Sequence, residues 1–166
     1  MKLGNAARDP WVWGQGLLFL AVGALPLLRQ SLPPDGFAGR LLAPAALALR
    51  LGALLPLVPG IIMLIWGVRS LGRSLTPATE PLADSELVDR GAYLLVRHPI
   101  YLGVILCLWS FAWWLTSPRV GLLAAAISYL YFDRKAAVEE RRMVARFPGY
   151  ESYRRRVPKL IPWRGT

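Results

Sequence analysis

The chain has 166 residues, 55% hydrophobic and only 18% charged, with a mean hydropathy of +0.39, a balance that excludes a disordered chain and departs from soluble domains, where about a quarter of residues are charged. The formal charge of +10 would suit nucleic acid, but seven Trp and long uncharged runs point instead to a membrane protein with basic cytoplasmic flanks and no nucleic-acid partner. A single cysteine, Cys107, and a single histidine, His98, exclude an intramolecular disulfide framework and a cysteine-cluster or multi-histidine metal site.

A transmembrane helix needs about 20 apolar residues. The first candidate is residues 11–28, free of charge and opened by Trp11 and Trp13, as an interfacial aromatic belt would have it. Lys2 and Arg8 precede it, but the apolar run continues past the faintly cleavage-like Ala21-Val22-Gly23, so an uncleaved anchor is expected rather than a signal peptide. The second candidate is residues 41–68, where Pro44, Pro56 and Pro59 should introduce kinks and Arg50 should snorkel at the outer end. The third is residues 99–115. The fourth, residues 120–132, is short for a span, and the polar helix after it lets the element run on past the membrane surface. Thr116-Ser117-Pro118 is a tight connection, so elements three and four should form an antiparallel hairpin. The expected fold is an all-α membrane protein, one domain over residues 1–166, with about four transmembrane helices and a cytoplasmic C-terminal helical cap.

Charge sets the expected topology. The tail, residues 133–166, carries ten Lys/Arg and four Asp/Glu, while residues 69–98 carry four of each. The positive-inside rule puts the tail in the cytoplasm, and four spans then put the N-terminus there too, against the pull of Arg29, Arg40 and Arg50 in the first outer connection. A multi-pass protein of a prokaryotic inner membrane follows, with its polar segments facing the cytoplasm.

Residues 87–103 form the first segment with chemical potential. Pro99 suits a first helical position and makes His98 the N-cap. The N–H groups of Ile100, Tyr101 and Leu102 then lack intrahelical acceptors, and Arg97 and His98 stand beside them, so a carboxylate or phosphate would fit there. The plainer reading of the same residues is a cytoplasmic Arg, an incidental His and a helix-starting Pro. Gly91 and Gly103 permit close approach by backbone or ligand.

Residues 133–147 read as an amphipathic helix with Ala136, Ala137, Met143, Val144 and Phe147 on one face. Glu140 falls on that face and needs a cationic or donor partner, because an unpartnered buried carboxylate is costly. Glu139 lies at the edge of the face, four residues from Lys135 and three from Arg142, where surface salt bridging would account for it. Phe147-Pro148-Gly149 breaks the helix, and Tyr150 and Tyr153 share a face if the next turn is helical. The run Arg154-Arg155-Arg156 suits anionic headgroups, at about 1 kcal/mol per charge near such a surface. Leu160, Ile161 and Trp163 are expected to fold back on the membrane surface.

In order along the chain stand Gly91-Ala92-Tyr93, the run from Arg97-His98-Pro99 to Gly103, Glu139-Glu140, Phe147-Pro148-Gly149-Tyr150 with Tyr153, Val157-Pro158 and Ile161-Pro162. This ordered set resembles the C-terminal signature of integral-membrane S-adenosylmethionine methyltransferases, the isoprenylcysteine carboxyl methyltransferases and phospholipid N-methyltransferases. Ala92 stands where Pro or Val is common in the family, and Phe147-Pro148-Gly149 where Phe-Gly is more usual. The resemblance implies a cofactor, S-adenosyl-L-methionine, between segments 87–103 and 133–163. Gly91, Tyr93, Arg97, His98, Pro99, Ile100 and Tyr101 would line it from one side, and Glu139 and Glu140 from the other. Its carboxylate suits the helix start with Arg97 or His98, its ammonium the Glu pair, and its sulfonium an aromatic face such as Tyr93 or Tyr101. His98 and Glu140 are the expected catalytic residues, and Arg134, Tyr150 and Tyr153 the expected contacts to the acceptor. That acceptor is lipid-soluble: an isoprenoid-linked carboxylate, a lipid amine or a similar hydrophobic small molecule. Anionic membrane lipids are the other expected partners. The competing readings are an NADPH-dependent membrane reductase related to sterol reductases and a non-catalytic lipid-binding membrane subunit.

Overall fold

The computed structural model describes residues 8–25, 27, 43–76, 78–79 and 86–162, with the backbone alone at 43–46 and 73. Lys2, Arg29, Arg40 and Trp163 lie outside the described residues. Within them the architecture is helical, with no strand. Helix α1 (Pro10–Gly23) starts at an Asp9 N-cap, whose Oδ1 accepts from the Trp11 N–H at 2.9 Å, with Pro10 preset for the first turn. Helix α2 (Ala43–Leu51) leads into α3 (Leu54–Leu71), then α4 (Pro99–Leu115), α5 (Pro118–Arg146) and α6 (Tyr150–Arg156). Short 3₁₀ turns occupy Gly72–Ser74 and Gly91–Leu94.

The second apolar element breaks in one place, and not where its prolines stand. The backbone departs from α geometry at Gly52 and Ala53, between α2 and α3, while Pro59 lies within α3. The cause is still a proline. A prolyl ring clashes with the carbonyl four residues before it, which for Pro56 is that of Gly52. The N–H groups of Ala53 and Leu55 accordingly reach back three residues, to Arg50 O and Gly52 O.

Residues Leu47–Leu71 are long and apolar enough to cross a membrane, and only 22% of the most apolar stretch is buried within the protein. Helix α4 is apolar but shorter. Helix α5 joins the expected fourth span and the amphipathic segment into one unbroken helix of 29 residues, about 43 Å long. The α4–α5 connection is as tight as expected, and the Ser117 hydroxyl caps α5 by accepting from the Val120 N–H.

Helices α3 and α4 pack closely because Gly103 has no side chain. A Cβ there would fall 2.7 Å from Leu64 N and 2.8 Å from Gly60 O. Helix α5 covers the other side of α4, where Ile105, Phe132 and Leu160 form an apolar cluster. Leu160 therefore packs inside the protein, at 2% exposure, rather than on the membrane surface, and Ile161 is the exposed neighbour. The end of the bundle that carries Asp9 and Thr79 is tied by a polar chain with no sequence signature. Asp9 Oδ2 accepts from both the N–H and the hydroxyl of Thr79, at 2.7 Å each, and Arg142 donates to the same hydroxyl.

Candidate functional site

The site grows from the start of α4. Pro99 sets the first helical residue, and His98 is the N-cap residue, as expected, though its ring makes no capping bond. The ring is instead directed at α5. Its Nε2 lies 3.2 Å from Glu140 Oε1 and its Nδ1 3.6 Å from Glu139 Oε2. Upstream, Gly91 adopts φ +62°, left-handed backbone open to glycine, and lies against Ser70, where a Cβ would meet the hydroxyl at 2.4 Å. This brings the Ala92 N–H onto Ser70 Oγ at 3.3 Å and sets Tyr93 into the interior.

Arg97 is the central clamp. Its Nε donates to Glu140 Oε1 at 2.8 Å, with both side chains at or below 10% exposure. Its Nη1 donates to the carbonyls of Arg154 and Val157 at 2.7 and 2.6 Å, satisfying acceptors that the end of α6 leaves open. The backbone repeats the connection: Arg97 N–H donates to Pro158 O and His98 N–H to Lys159 O. Tyr153 adds a hydroxyl bond to Tyr93 O at 2.7 Å, and Tyr150 and Tyr153 are both buried on one face of α6.

The two glutamates differ. For Glu140, burial works to raise the carboxyl, but hydrogen bonds from His98 and Arg97 overcome it and hold it below the usual carboxylate range. The partner that the apolar face demanded is thus protein, Arg97 and His98. Glu139 lies inside rather than at a solvated edge. It accepts from the Tyr101 hydroxyl, and burial raises its carboxyl above the usual range against the pull of His98, that hydroxyl and Lys135. Val144, placed by spacing on the apolar face, is 39% exposed.

Two clefts open beside this cluster. They share Leu71, Thr76, Tyr93, His98 and Glu139. The first adds hydroxyls from Ser74 and Thr79, the Glu86 carboxylate, Arg97, and the aromatic pair Tyr150 and Tyr153. The second is bounded by Gln15, Ile100, Tyr101 and Lys135. Lys135 donates to Gln15 Oε1 at 2.8 Å and lies 5.2 Å from the centre of the Tyr101 ring, and burial lowers its ammonium below its ordinary value.

Of the residues singled out from sequence, Tyr93, Arg97, His98, Ile100, Tyr101 and Glu139 line a cleft. Gly91, Pro99 and Glu140 support the site from behind without lining either cleft. Tyr150 and Tyr153 face the first cleft, and Arg134 is exposed and lines neither. Sequence reasoning missed Gln15, Thr76, Thr79, Glu86 and Lys135, which lie in loops or on helix faces with no distinguishing spacing.

The first cleft offers what S-adenosylmethionine presents partners for: carboxylates for an ammonium, hydroxyls for a ribose, aromatic faces for an adenine and a sulfonium, and a guanidinium for a carboxylate.

Comparison with known proteins agrees in part of the chain. A methanethiol S-methyltransferase of Bradyrhizobium diazoefficiens is 44% identical over 88 residues, covering 52% of this chain and 28% of that protein. A methanethiol S-methyltransferase of Crocosphaera subtropica is 37% identical over 76 residues, 44% of this chain and 28% of the relative. The protein-S-isoprenylcysteine O-methyltransferase of Schizosaccharomyces pombe is 34% identical over 85 residues, 48% of this chain and 34% of the relative. The match thus spans about a third or less of each relative's length. No solved structure matches the chain. The profile of the family described as phospholipid methyltransferase covers residues 47–149, from α2 to the turn before α6 and including both Arg97-His98 and Glu139-Glu140, and the chain belongs to that family.

Proposed function

We propose that the chain catalyses S-adenosylmethionine-dependent methyl transfer to a lipid-soluble acceptor at the membrane–cytoplasm interface. The observation that carries this reading is the pair of clefts meeting at Tyr93, His98 and Glu139. One presents Ser74, Thr79, Glu86, Arg97, Tyr150 and Tyr153, suited to the methyl donor; the other reaches Ile100 and Tyr101 at the start of an apolar helix, suited to the acceptor. The relatives' names support methyl transfer and leave the reductase and non-catalytic readings without support.

When bound, S-adenosylmethionine supplies an electrophilic methyl group on a sulfonium. The residues of the chain then have three tasks. Glu139 and Glu86 attract the ammonium, and Tyr93 offers a face to the positive sulfur, since the Tyr101 ring is stacked on His98 and faced by Lys135. Glu140 fixes Arg97 and His98, so it acts as a positioning residue, with His98 at the junction of the clefts. Holding two reactants in adjoining clefts supplies proximity and orientation, the main acceleration available to a displacement of this kind. The exposed Arg154, Arg155 and Arg156 would meet anionic headgroups of the inner leaflet, with Leu47–Leu71 and the other apolar helices in the bilayer.

Isothermal titration of the full chain in detergent with S-adenosylhomocysteine and with NADPH tests the reading. Saturable binding of S-adenosylhomocysteine alone is expected. Binding of NADPH alone, or of neither at millimolar ligand by a folded sample, overturns it.

A further inference from the structure

One wall of the first cleft is not helical. Ala78 and Thr79 line it from outside any helix, yet they are 8% and 2% exposed. The Thr76 hydroxyl helps locally, accepting from the Ala78 N–H at 3.2 Å. The stronger ties come from far along the chain. Asp9 Oδ2, at the start of α1, accepts from the Thr79 N–H and from its hydroxyl at 2.7 Å each, and Arg142 Nη1 of α5 donates to the same hydroxyl at 2.7 Å. Burial works to raise the Asp9 carboxyl, but the bonds from Thr79 and Trp11 overcome it and hold the group below its ordinary value. At neutral pH Asp9 is therefore a carboxylate, able to accept and not to donate. That fixes the polarity of Thr79. A hydroxyl has one hydrogen to give and two lone pairs to receive with. The hydrogen goes to Asp9, and Arg142 occupies one lone pair. What is left is one acceptor position.

We infer that Asp9 is a positioning residue of the methyl-donor cleft, acting through Thr79: it seats that wall and leaves the Thr79 hydroxyl as an acceptor for a hydrogen-bond donor of the bound molecule, a hydroxyl or an amino group. The inference rests on the methyl-transfer reading and deepens it. Asp9 precedes residues 47–149, the stretch that the family profile covers, so a helix outside that stretch completes the cleft. S-adenosylmethionine carries matching donors on its ribose, its adenine and its ammonium. Asp9 also caps α1 through the Trp11 N–H at 2.9 Å, and this second task allows seating to be separated from folding. Asn caps a helix as well as Asp does. An amide, however, has a single oxygen, and its nitrogen only donates. Asp9→Asn therefore keeps the cap and turns N–H groups toward the two Thr79 donors.

The test is calorimetric titration of the full chain in detergent with S-adenosylhomocysteine, each sample first shown to be folded by fluorescence melting. Asp9→Asn and Thr79→Val should each weaken binding by about fivefold or more, the worth of roughly one hydrogen bond. Thr79→Ser, which keeps the hydroxyl, should stay within about twofold of wild type. The double variant Asp9→Asn with Thr79→Val should fall short of the product of the single effects, because both act on one hydroxyl. Gly14→Ala crowds α1 elsewhere, with its Cβ 3.0 Å from the Tyr131 ring, and should leave affinity within about twofold. Wild-type affinity in folded Asp9→Asn, single effects that multiply in full, or an equal loss in Gly14→Ala overturns the inference alone. If Asp9→Asn does not fold, equal affinities of Thr79→Val and Thr79→Ser overturn it. Failure of wild type to bind S-adenosylhomocysteine removes the methyl-transfer reading and the inference with it.

Discussion

Glu140→Gln separates a residue that holds the ligand from one that holds the site. Glu140 Oε1 accepts from Arg97 Nε at 2.8 Å and lies 3.2 Å from His98 Nε2, and its side chain is 8% exposed. Breaking a buried pair by removing one charge costs about 3–5 kcal/mol. Two features reduce that here. The amide keeps an oxygen able to accept one bond, worth about 1 kcal/mol, and Arg97 keeps its carbonyl acceptors at Arg154 and Val157. The expected loss is therefore about 2–3 kcal/mol, or on the order of 5–10 °C in the melting temperature of a chain this size. Because Glu140 lines neither cleft, affinity for S-adenosylhomocysteine should stay within about threefold of wild type. Tryptophan fluorescence melting in detergent gives the first quantity and calorimetric titration the second. An unchanged melting temperature with affinity reduced more than tenfold would refute the assignment, because Glu140 would then contact the ligand directly.

The two glutamates should respond to pH in opposite senses. The Glu140 contribution is present above the ordinary carboxylate value of 4.5 and is lost as pH falls through its lowered folded value, so wild type should lose more stability on acidification than Glu140→Gln. Glu139, raised above 4.5, costs stability once pH climbs past that value; Glu139→Gln should melt higher than wild type at pH 7–8, and the gap should close toward pH 4 in melting curves across that range. Gly103→Ala drives a Cβ to within 2.8 Å of the Gly60 carbonyl and 2.7 Å of Leu64 N, backbone atoms that cannot step aside, and should cost about 1–3 kcal/mol by the same melting assay. Tyr93→Ala removes an aromatic face shared by both clefts and should weaken S-adenosylhomocysteine binding by roughly five- to thirtyfold in calorimetry.

The parts of this arrangement legible in sequence are those governed by neighbours along the chain. Pro99 marks the start of α4, Phe147-Pro148-Gly149 the end of α5, and the position of Glu140 on an apolar face demanded a cation, which Arg97 provides. Helical spacing could not show that Glu139 turns inward, because Tyr101 and His98, which draw it there, come from another helix. Nor could it distinguish Lys135 from Arg134: the two are adjacent basic residues, and only the positions of α1 and α4 decide which one is buried. Thr76 and Thr79 sit in a stretch without periodicity, and Asp9 and Arg142, which anchor Thr79, lie 70 and 63 residues away. The prolines of the second element predict kinks without saying where, and the one break at Gly52 and Ala53 falls where the Pro56 ring meets the carbonyl four residues earlier.

The anchoring of Arg97 to carbonyls 57 and 60 residues downstream has a consequence for biosynthesis. A ribosome adding about 5–20 residues per second needs several seconds to pass from Arg97 to Lys159. During that interval α4 is complete while its first turn still lacks the strand of backbone formed by Pro158 and Lys159. The start of α4 is thus tied down only after Lys159 has been added. A chain ending before Val157 would hold the helices yet leave Arg97 without the Val157 carbonyl and the backbone of Arg97 and His98 without the Pro158 and Lys159 carbonyls. A chain cut after residue 156 should therefore melt below one cut after residue 162 in the fluorescence assay.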